Sequence, residues 1–256
     1  MARGETWAAE VSDGVAVLTA GIDTQDARLE VEIVGWEANE ESWSVAYEVI
    51  DGDLDDPETV AKLDAFLQKT WHRADGRTFT VKHACMDSGG HKTQAVCNFS
   101  KARLGRRIIA IKGESARGGA RSLVWPTKRP TNRSKASFRP VIIGVNSAKD
   151  IIRSRLAMQS GGSEGPIPGY MHFPATRDVN YYAHLVAESS VTKTLNGSRV
   201  RLWIPSPRRA NEALDCGVYA YASLCALQYA GFKLNIEAAR VMESIVEAAT
   251  PVPVAR

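Results

Sequence analysis

The sequence predicts an α/β domain built on one mixed sheet flanked by helices, and three observations carry that prediction. Three strand-like runs follow one another early in the chain, at 15–22, 29–34 and 43–50, joined by short polar links. Such spacing favours an antiparallel meander. Beyond residue 57, helix-period and strand-period segments alternate, as in α/β domains. A last segment, 207–229, reads as one long helix.

Each element has its own justification. The run Val15-Ala16-Val17-Leu18-Thr19-Ala20-Gly21-Ile22 reads as a buried strand. Leu29-Glu30-Val31-Glu32-Ile33-Val34 alternates apolar with acidic residues and reads as a half-solvated strand. Residues 43–50 make the third strand and 51–56 an acidic turn. Pro57-Glu58-Thr59-Val60 opens a helix to Thr70, with Val60, Leu63, Phe66 and Leu67 on one face. A fourth strand at 78–86, a helix at 92–104 stopped by Gly105, and a fifth strand at 107–112 follow. After a Pro- and Gly-bearing loop comes a strand at 140–145, then a helix capped by Asn146 or Ser147 and running to Met158. Residues 161–169 form a flexible break, and Asn196-Gly197 marks a hairpin turn within 191–204. From Asn235 the tail is weakly helical and disordered near Pro251-Val252-Pro253. The reading is therefore one domain over 1–235, with a loop at 115–140, and a tail over 236–256. Three antiparallel strands followed by alternating helix and strand is the ribonuclease H-like order, although fold alone does not fix function.

The bulk composition, 44% apolar and 24% charged, is that of a soluble globular protein. No apolar run reaches the roughly 18 residues of a membrane span, and the start lacks the apolar stretch of a signal peptide. Cys85, Cys97, Cys216 and Cys225 show neither C-x-x-C nor zinc spacing and read as reduced thiols. The net charge of +3 hides an asymmetry: residues 1–100 hold 8 Lys+Arg against 19 Asp+Glu, and residues 101–256 hold 24 against 10. Only the second part suits a polyanion. Its densest basic stretch, 115–140, carries Arg117, Arg121, Lys128, Arg129, Arg133, Lys135 and Arg139 and no acid. A cationic arm of this kind suits the phosphate backbone of double-stranded DNA, although a solvated surface run is the ordinary fate of charges. Trp125 within it packs in the core rather than stacking on a base.

Asp23, Asp87 and Asp215 each stand where an apolar run meets a bend or an apolar helix. A carboxylate there loses hydration, and three of them on neighbouring elements point to a shared cation. In the predicted order the first strand is central with the fourth beside it, so Asp23 and Asp87 end at one edge. A late helix crossing that edge brings Asp215. Carboxylates on one side of Mg²⁺ or Mn²⁺ leave positions for water and phosphate oxygens, and a two-ion site serves phosphodiester hydrolysis. Turn capping at Asp23 and Asp87, and a helix-dipole or Arg208/Arg209 pairing for Asp215, are the structural alternatives. Asp51, Asp53 and Asp55 fail the EF-hand pattern, the histidines lack paired spacing, and neither a P-loop nor a nucleophile elbow is present.

Several blocks carry a family resemblance. Gly21-Ile22-Asp23-Thr24-Gln25, Val34-Gly35-Trp36, Glu41-Ser42-Trp43, Met86-Asp87-Ser88-Gly89-Gly90 and Ile109-Ala110-Ile111-Lys112-Gly113 occur in order. Met171-His172-Phe173-Pro174 and Arg209-Ala210-Asn211-Glu212-Ala213-Leu214-Asp215-Cys216-Gly217-Val218-Tyr219-Ala220 follow, the last being the most specific. Together they resemble the nuclease domain of lambda-like phage terminase large subunits. The resemblance implies a ribonuclease H-like, metal-dependent endonuclease that cuts concatemeric phage DNA during packaging in the host cytoplasm. It implies that Asp23, Asp87 and Asp215 hold the metal, with Asp26, Lys112 and Glu114 as lesser candidates nearby. It also implies an ATPase motor domain, which this chain lacks, a small terminase subunit and a portal as partners, and no membrane. A resolvase- or transposase-type nuclease, and a non-catalytic DNA-binding or portal-docking module, are the alternatives. The clustered acids speak against the last, since without a cation they would weaken DNA binding.

Overall fold

The computed structural model describes residues 4–114, 121–127, 139–159, 167–195 and 197–249. In chain order the elements begin with β1 (Gly4–Glu5), β2 (Val17–Thr24), β3 (Arg28–Trp36), β4 (Ser42–Asp51), α1 (Pro57–Gln68), β5 (Trp71–His72) and β6 (Thr78–Phe79). Next come β7 (Val81–Asp87), α2 (Thr93–Ala102), β8 (Ile108–Gly113), β9 (Val141–Ile143), α3 (Val145–Leu156) and β10 (Met171–Pro174). The chain continues through α4 (Val179–Leu185), β11 (Glu188–Leu195), β12 (Ser198–Pro205), α5 (Glu212–Tyr229) and α6 (Leu234–Ala249).

One eight-stranded sheet has the order β1-β10-β4-β3-β2-β7-β8-β9. β2, β3 and β4 form the predicted antiparallel meander, and β7, β8 and β9 continue parallel to β2. β2 is central and β7 is its parallel neighbour, as the strand order predicts. Alternation along β2 divides two cores. Leu18, Ala20 and Ile22 face the core that contains Leu63 and Leu67 of α1 and Val96 and Phe99 of α2. Each fully buried Leu or Ile there contributes about 1.5–3 kcal/mol. Val17 joins the opposite core, built from α3, α4 and α5. Thr19 Oγ1 donates to Ala220 O at 2.9 Å, and Ser223 Oγ donates to Ala20 O at 3.1 Å, which ties α5 to β2.

The departures from the sequence reading are physical. Strand four breaks at Thr80, and β6 pairs with β5 in a separate ribbon. α2 ends at Ala102, and Arg107, not Gly105, takes the left-handed backbone (φ 58) that turns the chain into β8. α3 starts behind Gly144 with no side-chain cap; Ser147 Oγ instead donates to Ser122 O at 2.6 Å. β1, β10 and α4 were not expected; β10 pairs parallel with β4 and extends the sheet on that side. Leu195 faces Ser198 across the hairpin, and Gly197 has φ 79, whereas Asn196 lies outside the described residues. α6 is a regular helix rather than a weak one, and Asn235 Oδ1 accepts from Asn39 N at 2.8 Å. Residues 160–166, and with them most of the expected break, lie outside the described residues, as do 250–256.

Two corrections bear on the site. α5 begins at Glu212, not at Pro207, which moves Asp215 into its first turn. β3 is not half-solvated: Glu30 and Glu32 are 3% and 2% exposed. α5 and α4 cover the face that carries these acids. Glu32 accepts from Ser44 Oγ at 2.7 Å and from the Tyr181 hydroxyl at 2.5 Å, and burial holds its carboxyl above the usual range.

Candidate metal-binding active site

Asp23 is the penultimate residue of β2 and Asp87 the last of β7. The two strands are parallel with Ile22 beside Met86, so both carboxylates leave the sheet at the same end. α5 reaches that end because Gly21 lets it approach: a Cβ at Gly21 would stand 1.9 Å from Cys216 O. Gly21 and Asp23 share a sheet face, and Asp215 precedes Cys216. The three acids predicted from three separate segments therefore converge.

Their electrostatics record that convergence. Burial, then the charge of Asp215, pushes the Asp23 carboxyl up to about 7, with Asp87 and Glu212 adding and Gln25 opposing. Gln25 Nε2 donates to Asp23 Oδ2 at 2.5 Å. Asp87 is pushed up to about 6, first by burial, against the backbone N–H groups of Gly89 and Ser88 and the Lys112 ammonium; Asp215 raises it further. Asp87 thus makes the predicted turn contacts and belongs to the acid cluster as well. Asp215 is raised chiefly by burial, with Lys149 opposing. Tyr219, one turn further along α5, feels all three: burial first, then Asp215, Asp87 and Asp23 hold its phenol well above the usual range.

A network fixes Asp215. Lys149 of α3, only 6% exposed, lies 3.0 Å from Asp215 Oδ1 and 2.6 Å from Glu188 Oε1. Asn211 Nδ2 donates to Asp215 Oδ2 at 2.7 Å and to Glu188 Oε1 at 2.8 Å. Burial works against the Lys149 charge, but Asp215 and Glu188 outweigh it and its pKa is raised. Lys149→Met leaves the buried Glu188 and the half-buried Asp215 carboxylates without their cation, and a broken buried pair costs about 3–5 kcal/mol. Urea unfolding at pH 7.5 is therefore expected to show that loss, and an unchanged midpoint would refute the pairing.

A second acidic group adjoins the first. Glu30 lies directly across from Asp23 in the β2–β3 register. Arg28 Nε contacts Glu30 at 2.6 Å and Arg28 Nη2 contacts Glu212 at 2.9 Å, while the Tyr47 hydroxyl donates to Glu30. His184 Nδ1 lies 3.5 Å from Glu212 Oε2. Glu30, His184 and Glu212 each place a ligand atom within 4.8 Å of the others, a composition able to hold a divalent ion. Sequence reasoning missed this group. Glu30 read as the wet side of a strand, and His184 belongs to an unpredicted helix. The available signal was that a long apolar late helix must cover a sheet face, and the acids of β3 lie on it.

The remaining candidates separate. Asp26 is exposed in the β2–β3 turn. Lys112 is exposed at the end of β8, where its charge reaches Asp87. Glu114 follows β8 and has a buried Oε1 without a hydrogen-bond partner. Arg121 is engaged within the fold, at 2.6 Å from Asp150, which also accepts from Arg201 and Trp203. Arg139 is exposed. Arg117, Lys128, Arg129, Arg133 and Lys135 lie outside the described residues. The segment that carries them departs just past Gly113, two residues beyond Ile111, which pairs with Asp87. Trp125 is buried, edge-on to His83.

The three-aspartate donor set fits a hard divalent cation. All its ligands are carboxylate oxygens, two of them are held partly protonated near neutrality by burial and mutual repulsion, and Lys149 relieves only Asp215.

Residues 1–236 match the family model of the terminase large subunit gpA endonuclease domain. The chain is 38% identical over 225 residues to the terminase large subunit of Escherichia phage lambda, covering 87% of this chain and 34% of that protein. It is 33% identical over 221 residues to the terminase large subunit of Enterobacteria phage P21, covering 85% and 34%. The chain thus spans about a third of the length of these curated relatives. No solved structure matches it significantly.

Proposed function

From the premise that the chain belongs to the endonuclease-domain family of terminase large subunits, we propose that it is a metal-dependent nuclease cutting concatemeric phage DNA during genome packaging. The observation that carries this reading is the convergence of Asp23, Asp87 and Asp215: burial raises all three, and the Asp215 charge raises both Asp23 and Asp87 further. Asp23, Asp87 and Asp215 would together hold Mg²⁺ or Mn²⁺ through their carboxylate oxygens. Bound Mg²⁺ or Mn²⁺ would neutralise the phosphate, acidify water at neutral pH and stabilise the departing 3′ oxygen.

The chain's own residues do the positioning. Gln25 orients Asp23, while Lys149 and Asn211 orient Asp215. The basic segment 115–140 would hold duplex DNA by its phosphates, largely without sequence preference. An ATPase domain, a small terminase subunit and a portal are the partners this reading assigns, in the host cytoplasm.

Supercoiled plasmid incubated with the purified chain tests it. Nicked and linear products are expected in Mn²⁺ and none in EDTA, together with a Mn²⁺-induced rise in melting temperature. Linear and branched duplexes cut alike would separate it from a resolvase. Intact plasmid without any Mn²⁺ effect on melting would overturn the reading.

A further inference from the structure

The opposite end of β7 from Asp87 carries a cavity of about 480 Å³ whose charged lining residues are Lys82, Arg106 and Arg107. Among the described residues no acid lines it, although residues 1–100 are strongly acidic. Gln68 and Thr80 supply neutral hydrogen-bonding groups, and Leu67, Val81 and Ile108 supply apolar surface.

The cations are poorly compensated. Lys82 and Arg107 are exposed and have no side-chain hydrogen bond or ion pair among the described residues. Arg106 shares Asp64 with Arg103, which contacts that carboxylate at 2.7 Å, and Arg106 Nη1 is buried with no hydrogen-bond partner. The backbone that presents them is fixed. Arg107 is held left-handed (φ 58), its N–H donates to Leu104 O at 2.9 Å and its carbonyl accepts from Ala84 N at 3.1 Å.

We propose that this pocket binds a phosphate-bearing ligand of nucleotide size. The Arg107 guanidinium fork and the Lys82 ammonium, neither paired with an acid among the described residues, match phosphate oxygens, and Arg106, held on Asp64, adds positive charge beside them. The volume falls in the range of about 300–1,000 Å³ usual for small-ligand sites. The apolar surface beside the cations gives a sugar or base somewhere to lie. Seven residues of β7, at about 3.3 Å each, put the pocket roughly 20 Å from the three aspartates. It is therefore a separate site, and the proposal does not depend on the nuclease reading.

The same chemistry has two sources: a free nucleotide, or one unit of a nucleic-acid strand. Isothermal titration of the full chain with pyrophosphate and with adenosine monophosphate in EDTA, against K82Q/R107Q, tests it. Both altered side chains are exposed and unpaired, so folding should be retained, and circular dichroism checks that it is. Binding of both probes by the wild type, weakened about tenfold or more in the double variant, is expected from the loss of two charge-assisted contacts. Absence of binding at millimolar probe, or equal binding in the variant, overturns the proposal. Displacement of bound pyrophosphate by an oligonucleotide assigns the site to a strand, and failure to displace it assigns the site to a free nucleotide.

Discussion

Asp23→Asn is expected to abolish metal-dependent plasmid nicking, by about 10³-fold or more, and to raise the melting temperature of the metal-free protein at pH 8. The activity loss follows, on the proposed reading, from removing a carboxylate that would hold the catalytic metal, which supplies several kcal/mol of charge stabilisation. The stability gain follows from the same carboxylate. Its ordinary pKa is 3.8, and in the fold it is about 7. Between these values the folded protein holds a proton that the unfolded chain has released, so stability falls as pH rises from about 4 through 7. Burial and the charges of Asp215, Asp87 and Glu212 cause the shift, against the single opposing hydrogen bond from Gln25. Asparagine keeps that shape without the charge, so the variant should lose the part of the downward slope that Asp23 contributes, while Asp87, raised to about 6, keeps its own. Mn²⁺ should stabilise the wild type at pH 8 and the variant far less. Asp215→Asn should also abolish nicking, with a smaller stability gain, because Lys149 already offsets part of the Asp215 charge. Full nicking activity in either variant would sink the three-aspartate site; a metal-free Asp23→Asn protein that melts below the wild type at pH 8 would contradict its electrostatics.

Much of this candidate site was legible in the sequence because its acids close strong, local patterns. Asp23 ends an unbroken apolar run, and such a run is a central strand wherever both faces of a sheet are covered. Asp87 precedes Ser88-Gly89-Gly90, and the Gly89 N–H does turn onto its carboxylate. Asp215 sits in a helix too apolar to be solvated. The helpers were not legible, because each depends on what covers it. Lys149 and Glu188 stand 39 residues apart in the chain and meet only through α3 and the hairpin. Alternation along β3 correctly signalled a strand but not its environment. Acid–apolar alternation ordinarily means one wet face; here Arg28, Tyr47, Ser44 and Tyr181 supply the partners that let that face be buried. Capping failed at α3, where Asn146 or Ser147 was expected: the helix starts ahead of both, at Val145, and Ser147 is used across the loop to Ser122.

Gly21→Ala tests what holds the acids together. The added Cβ would meet Cys216 O at 1.9 Å, Ala220 N at 2.6 Å and Cys216 C at 2.8 Å, all backbone atoms of α5. No side chain can swing aside, so the helix must move by about 1 Å or more from β2 to reach ordinary contact. The Thr19–Ala220 and Ser223–Ala20 hydrogen bonds flank the contact and would stretch with it. A loss of about 3 kcal/mol or more is expected, beyond the 0.5–1 kcal/mol that alanine regains over glycine in a strand. Nicking should fall further than stability explains, because a shift of about 1 Å between Asp23 and Asp215 costs about 100-fold. Gly217→Ala, on the same helix, is the matched control. Its Cβ would find nothing nearer than 3.9 Å, at Glu32 Oε2 and Ile152 Cδ1. That substitution should be tolerated and gain up to about 1 kcal/mol of helix propensity. Equal melting temperatures for the two variants would show that Gly21 does not set the distance between β2 and α5.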